Sequence, residues 1–268
     1  MGAIVGKSRR ILLKVIPYVV LIIVVKLLLH KFGFEVISIN AIFSGIIGAT
    51  IFLLGFLLSG VMADYKESEK IPGEIASALH TITDEFETAY NLKKDGFLLD
   101  GVRLCRDIGA DMKSWFHKKT KSREIMDKLH HLYHFYSRLE GMIPANYITR
   151  LKQEQHNLRK IFIRTHTIRE TNFISSGYLI ASSTTILLLS GLVLAKIEPF
   201  YESLFFLGVV SYLMIFLIML INDLDNPFGY YEADKSEDVS LKPLDDFICD
   251  IEAKLTEIEK CQPVTQGA

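Results

Sequence analysis

Four stretches of this chain carry no Asp, Glu, Lys or Arg: residues 15–25, 41–62, 174–195 and 203–221. A helix needs about 20 mostly apolar residues to cross the hydrocarbon of a bilayer, because every backbone N–H and C=O must be paired within the segment where water is absent. The last three stretches meet that length. The first extends from Ile11 to Leu29 and includes Lys14 and Lys26 near its ends. Each lysine would cost about 2.5–3.5 kcal/mol at the bilayer centre unless its stem snorkels the ammonium to the interface. On those terms it reads as a span. Charge collects elsewhere: the 111 residues from Ala63 to Phe173 hold 19 Lys and Arg and 16 Asp and Glu. With half its residues hydrophobic and its charges so segregated, the chain is no uniformly soluble globule.

Orientation follows the cations, because Lys and Arg are retained on the cytoplasmic side during insertion. Lys7, Arg9 and Arg10 precede the first span and 19 cations lie in the central segment, against Lys31 and Lys196 in the two short connectors. Both termini and the centre are therefore expected in the cytoplasm. Residues 30–40 and 196–202 are expected to face outward, the second closing spans three and four into a tight hairpin. A cleaved leader is the competing reading of the N-terminus, but Leu-Leu-Leu-His-Lys follows the apolar run instead of a small-x-small site. The expected division is 1–62 for an N-terminal arm with spans one and two, 63–173 for a cytoplasmic region, 174–222 for the hairpin and 223–268 for a cytoplasmic tail.

The cytoplasmic region reads as helical. Apolar residues recur at helical intervals at Ile75, Leu79, Ile82, Phe86 and Tyr90, and again at Ile125, Leu129, Leu132, Tyr136 and Leu139. Pro72-Gly73 and Gly141 to Pro144 mark bends or breaks, and no alternating strand pattern of useful length appears. In the tail, Leu244, Phe247, Ile248, Ile251, Leu255 and Ile258 form a narrow apolar stripe that must dock on something. The fold class is an all-α membrane protein with four transmembrane helices and a cytoplasmic helical bundle.

Several chemistries find no support. A net charge of −1 argues against a nucleic-acid partner, which needs a surplus of cations to displace counterions from phosphates. Cys105, Cys249 and Cys261 have no short spacing, forming neither a disulfide framework nor a zinc site, and read as reduced thiols. Gly2 to Ser8 resembles a phosphate loop but has three residues between its glycines where four are required. His130 and His134 share a helix face, with His131 beside them, yet no third ligand is close in sequence, so a solvated face outweighs a metal pair. No catalytic set is identifiable, and the charge-free spans hold no carboxylate to carry protons. Neither an enzyme nor a cofactor is expected.

The second span differs from the others. Between Ala41 and Met62, Gly48, Phe52, Phe56 and Ser59 fall at i, i+4, i+8 and i+11, which is one continuous helix face. If several copies turned this face toward a common axis, rings of phenyl groups would form a constriction of the kind that gates by dewetting. Small-residue packing between helices is the alternative, for which Gly45, Gly48, Gly55 and Gly60 would serve. Spacing alone leaves both open and favours packing.

Leu54-Gly55-Phe56, continued through Ala63, Asp64, Tyr65, Glu67 and Lys70 to Gly73-Glu74, resembles the bestrophin family. In bacterial members a pore span ending in Leu-Gly-Phe runs on without gaps into a similar stretch. Asp225-Asn226-Pro227-Phe228-Gly229 directly after span four, followed by Leu241-Lys-Pro-Leu244-Asp245, is similar to the family's Asp-Pro-Phe-Gly turn and the helix after it. A weaker match lies at Ile143-Pro144 and Ile168-Arg169-Glu-Thr171. The layout covers the whole chain and the specific motifs about a quarter of it.

The resemblance implies a homopentamer in a bacterial inner membrane, with an axial pore lined by helix 41–62, whose partners are its own copies, the lipid bilayer and small monovalent ions. The family's neck falls on Gly48, Phe52 and Phe56, and the inner pore mouth on Ser59, Asp64 and Glu67. Gly48 departs from the pattern by offering no side chain, so a wider or two-ring neck is expected. Leu57, Leu58 and Ser59 replace a polar Arg-Asn-Asn step, Asp64 replaces an arginine, and Tyr65-Lys66 replaces paired tryptophans. These changes remove groups that could hold an anion. With Asp64 and Glu67 at the mouth, they point to a cation-conducting or weakly selective pore over a strictly chloride one. In eukaryotic members an acidic run after the Pro-Phe-Gly turn binds calcium. Here the run Tyr230 to Asp238 is interrupted by Lys235, and a solvated turn is the expectation. Residues 225–229 are expected to fold the tail back against the cytoplasmic helices of a neighbour. The alternative function is a non-conducting membrane scaffold of the same fold.

Overall fold

The first 31-residue helix, α1 (Gly2–Phe32), passes through the whole N-terminal apolar run without a break. The computed structural model describes residues 2–170, 175–230 and 238–261. In chain order α1 is followed by β1 (Ile37–Ser38), α2 (Ala41–Ser68), α3 (Ile71–Lys93), α4 (Gly96–Phe116), α5 (Ser122–Leu139) and α6 (Ala145–Glu170). Then come α7 (Ser175–Leu194), β2 (Ala195–Lys196), α8 (Phe200–Leu224) and α9 (Lys242–Cys261). Among the described residues four helices, α1, α2, α7 and α8, are long and apolar enough to cross a membrane.

Two compact units emerge. Of the described residues, the first takes 2–66, 175–227 and 238, and the second takes 67–170, 228–230 and 239–261. In the first, α2 buries Leu54, Leu57 and Val61 against Leu188 and Leu192 of α7 and Leu207 and Met214 of α8. Phe43 of α2 lies against Gly191 of α7, where an added Cβ would meet the ring at 3.0 Å. Several hydroxyl groups in these helices bond back to their own backbone, as Thr50 does to the Ile46 carbonyl and Ser190 to the Ile186 carbonyl, both at 2.8 Å. That pairing hides polar atoms which lipid could not satisfy.

The connectors 33–40 and 195–199 carry short strands the sequence does not announce. Ile37 and Ser38 pair in parallel with Ala195 and Lys196. Two residues per strand are too few for an alternating pattern to be legible. Beside this pairing the expected snorkelling of Lys26 does not occur. Its side chain is fully buried, its ammonium lies 2.6 Å from Glu35 and donates to the Ala195 carbonyl. His30 approaches the other Glu35 oxygen at 2.9 Å and stacks on Phe200 with ring centroids 3.7 Å apart. A charge paired and hydrogen-bonded inside the protein needs no route to the interface.

The second unit is a helical bundle. Pro72 stands in the first turn of α3, where its missing N–H has no helical role, so the break expected at Pro72-Gly73 is the start of a new helix. Ile75, Leu79, Ile82, Phe86 and Tyr90 are all buried, and so are Ile125, Leu129, Leu132, Tyr136 and Leu139 of α5. Lys94, at φ 52°, closes α3, and the Asp95 carboxylate caps α4 by accepting from the Phe97 amide at 3.0 Å. The α9 stripe docks within its own chain. Phe247 sits edge-on to His80 of α3 at 4.8 Å, Lys254 pairs with Glu87 of α3 at 3.2 Å and Arg103 of α4 with Glu259 at 2.9 Å.

Candidate pore helix and its inner end

Helix α2 has two unlike faces. Leu54, Leu57 and Val61 lie on the face buried in the first unit. A half-turn away, Gly48, Phe52, Phe56 and Ser59 are all exposed on the single chain, Phe52 at 77% and Phe56 at 69%. Cβ atoms built at Gly45, Gly48 and Gly55 would meet nothing within 4 Å. Close packing inside this chain therefore does not account for those three glycines. Two large aromatic side chains on this face form an apolar surface that the described residues leave mostly uncovered.

At the C-terminal end of α2 Asp64 is exposed, and Glu67 is met by a counter-charge from another helix. Its Oε1 accepts from Arg164 Nη2 of α6 at 2.5 Å, with the two side chains 45% and 47% exposed. Ninety-seven positions separate the partners, so no local pattern could have shown the pair. Beyond it, α3 and α6 frame a groove of about 570 Å³ lined by Lys70, Glu74, Glu154, Lys160 and Arg164 among others.

The motif at residues 225–229 has a structural setting. Asp225 caps α8, its amide donating to the Ile221 carbonyl at 3.0 Å. Phe228 is fully buried in the second unit, with its ring 4.9 Å from Phe116 at the end of α4. This corrects the expectation of docking on a neighbour, since the Phe228 ring finds its pocket in its own chain. Gly229 is not among the positive-φ glycines, which for the described residues are Gly33 and Gly141. The turn therefore draws on Pro227 to stop the helix and on burial of Phe228, with no left-handed glycine. Tyr230 adds a hydrogen bond from its hydroxyl to the Val239 carbonyl. Arg169, part of the weaker match, lies over Trp115 at 3.9 Å and donates to the Trp115 carbonyl at 2.7 Å.

The remaining candidates hold little. His130 and His134 lie with ring centroids 6.4 Å apart, and His131 and His134 5.2 Å apart. Among the described residues no group of three or more His, Cys, Asp or Glu could hold a metal. Residues 231–237 of the acidic run weighed for calcium lie outside the described residues. Cys105 is buried, which pushes its thiol up to about 12 although Thr83 bonds to it, so it stays protonated at neutral pH.

No protein-family model matches the sequence, and no curated protein matches it either. Solved structures do. A point-mutated form of a bacterial bestrophin homolog from Klebsiella pneumoniae superposes with a TM-score of 0.76 at 17% identity, over 92% of this chain and 97% of that one. Another structure of that homolog gives 0.69 at 17% identity, over 95% and 98% of the two chains. A crystal structure described as a membrane protein gives 0.73 at 16% identity, over 93% and 100%. Such identities carry the architecture and leave residue roles to the chemistry of this chain. With four membrane-length helices among the described residues and this likeness over nearly its full length, the chain is an all-α membrane protein with a bestrophin-like fold.

Proposed function

We propose that the protein is an ion channel, a homopentamer whose axial pore is lined by α2. The observation that carries this reading is the unpacked aromatic face of α2. Phe52 and Phe56 are exposed on the chain while the opposite side of the same helix is buried. Turned to a common axis, the two residues form stacked phenyl rings that hold a dry neck, closed to ions until it wets. Gly48 leaves the outer end of that neck without side chains. In this reading both termini and the helical bundle face the cytoplasm of a bacterial cell, in keeping with the cations that flank the spans.

Small monovalent ions are the cargo. Asp64 at the inner mouth and the loss of cationic and amide groups after Phe56 favour cations or weak selectivity over strict chloride conduction. A reversal potential that tracks chloride in asymmetric salt refutes that preference.

The test is ion flux from liposomes holding the full chain. Phe52→Ala combined with Phe56→Ala relieves the dry constriction and raises flux above the unsubstituted protein at equal incorporation. Unchanged or lower flux contradicts a neck at these positions and turns the reading toward a scaffold in which the aromatic face seals a seam between subunits.

A further inference from the structure

We infer that Arg164 is a specificity-determining residue of the pore proposed above, setting the balance between cation and anion passage by neutralising Glu67. The inference rests on the channel reading and adds a residue from outside the pore helix. Arg164 Nη2 lies 2.5 Å from Glu67 Oε1, so the carboxylate that ends α2 carries a counter-charge supplied by α6.

The surroundings make this pair a balance point. The adjoining α3–α6 groove is lined by Lys70, Lys160 and Arg164 and by Glu74 and Glu154. The Glu67–Arg164 pair is neutral as a unit, so removal of one partner leaves the charge of the other uncompensated. Side chains exposed by nearly half remain in contact with water and ions, where their field acts on passing charge within a Debye length of about 8 Å at physiological salt. Rings of carboxylates favour cations and rings of guanidinium groups favour anions. In a symmetric assembly each copy contributes one pair, so a single substitution changes the charge of a whole ring. Half-exposed ion pairs contribute little to folding stability. Either partner can therefore be neutralised without loss of the fold, and the effect is read in selectivity.

The experiment is the reversal potential of full-length protein in planar bilayers under a potassium chloride gradient, for the unsubstituted chain, Arg164→Gln, Glu67→Gln and the double variant. Arg164→Gln should raise potassium permeability relative to chloride by about two- to threefold, and Glu67→Gln should lower it by a similar factor. The double variant should return close to the starting ratio, because the two changes cancel in charge. Single variants that shift in the same direction, or an Arg164→Gln protein with an unchanged ratio, overturn the inference while leaving the channel intact. If the unsubstituted protein conducts no ion, the channel reading fails and this inference fails with it. Arg164→Lys, which keeps the charge, should hold the original ratio.

Discussion

At the scale of single residues, the most constrained group is Lys26. An ammonium surrounded by apolar helices costs several kcal/mol unless a partner meets it, and breaking a buried pair leaves that cost uncompensated. Glu35 meets it at 2.6 Å, with its own side chain 8% exposed. Glu35→Gln should therefore destabilise the folded chain by about 3 kcal/mol, with most of the loss recovered in the Lys26→Met, Glu35→Gln double variant. Thermal unfolding in detergent checks both, and a Glu35→Gln protein that melts with the unsubstituted one contradicts the pairing. Burial opposes the charge on Glu35, and the hydrogen bonds from Lys26 and His30 outweigh it, holding its carboxyl below the usual range. A carboxyl held low stabilises the fold at any pH above its unfolded value and loses that contribution as pH falls through its folded value. The same melts should show the Glu35 contribution intact at neutral and mildly acid pH and lost only as the pH falls below the usual carboxylate range. The sequence shows a lysine in a span and a lone acid in the next connector. It does not show that Ala195, 169 positions on, closes the cage.

At the scale of elements, legibility tracked periodicity. Helices α3, α5 and α9 carry one apolar stripe each, and the stripes named from spacing are the sides that pack. Helices α4 and α6 were not singled out. Gly96, Gly101 and Gly109 interrupt the pattern of α4, and α6 is mostly polar around a thin line of Ile148, Leu151, Leu158 and Phe162. The α4 glycines turn out to be packing sites. A Cβ on Gly109 would sit 2.9 Å from the ring of Phe247, a fully buried side chain that anchors α9. Gly109→Ala should push that ring off its seat at a cost of about 1–3 kcal/mol. Hydrogen exchange should then show α9 amides opening faster while α5 amides keep their protection. Unchanged α9 protection contradicts this account of the docking. Glycines of α2 differ from these, since added Cβ atoms at Gly45, Gly48 and Gly55 touch nothing of the chain.

For the whole molecule, charge segregation made the membrane part visible, because a bilayer tolerates so few polar groups that the spans stand out from any other helix. The candidate pore was only half visible. A helix with Gly48, Phe52, Phe56 and Ser59 in line reads as a packing seam before it reads as a channel wall, since both want small and apolar side chains on one face. Exposure of that face on the chain removes packing within one copy as its explanation and leaves either a lipid-facing surface or association between copies. The setting of Glu67 was less legible still, because its counter-charge is an arginine brought to it by the fold.

The measurement that bears most directly on this account is an electron cryomicroscopy structure of the purified full-length protein in lipid nanodiscs. The account predicts five copies around a central hole, with Phe52 and Phe56 at its narrowest point and the Leu54 side of α2 turned away from the axis. An assembly with no axial hole, or with a hole bordered by α1, α7 or α8, would contradict it.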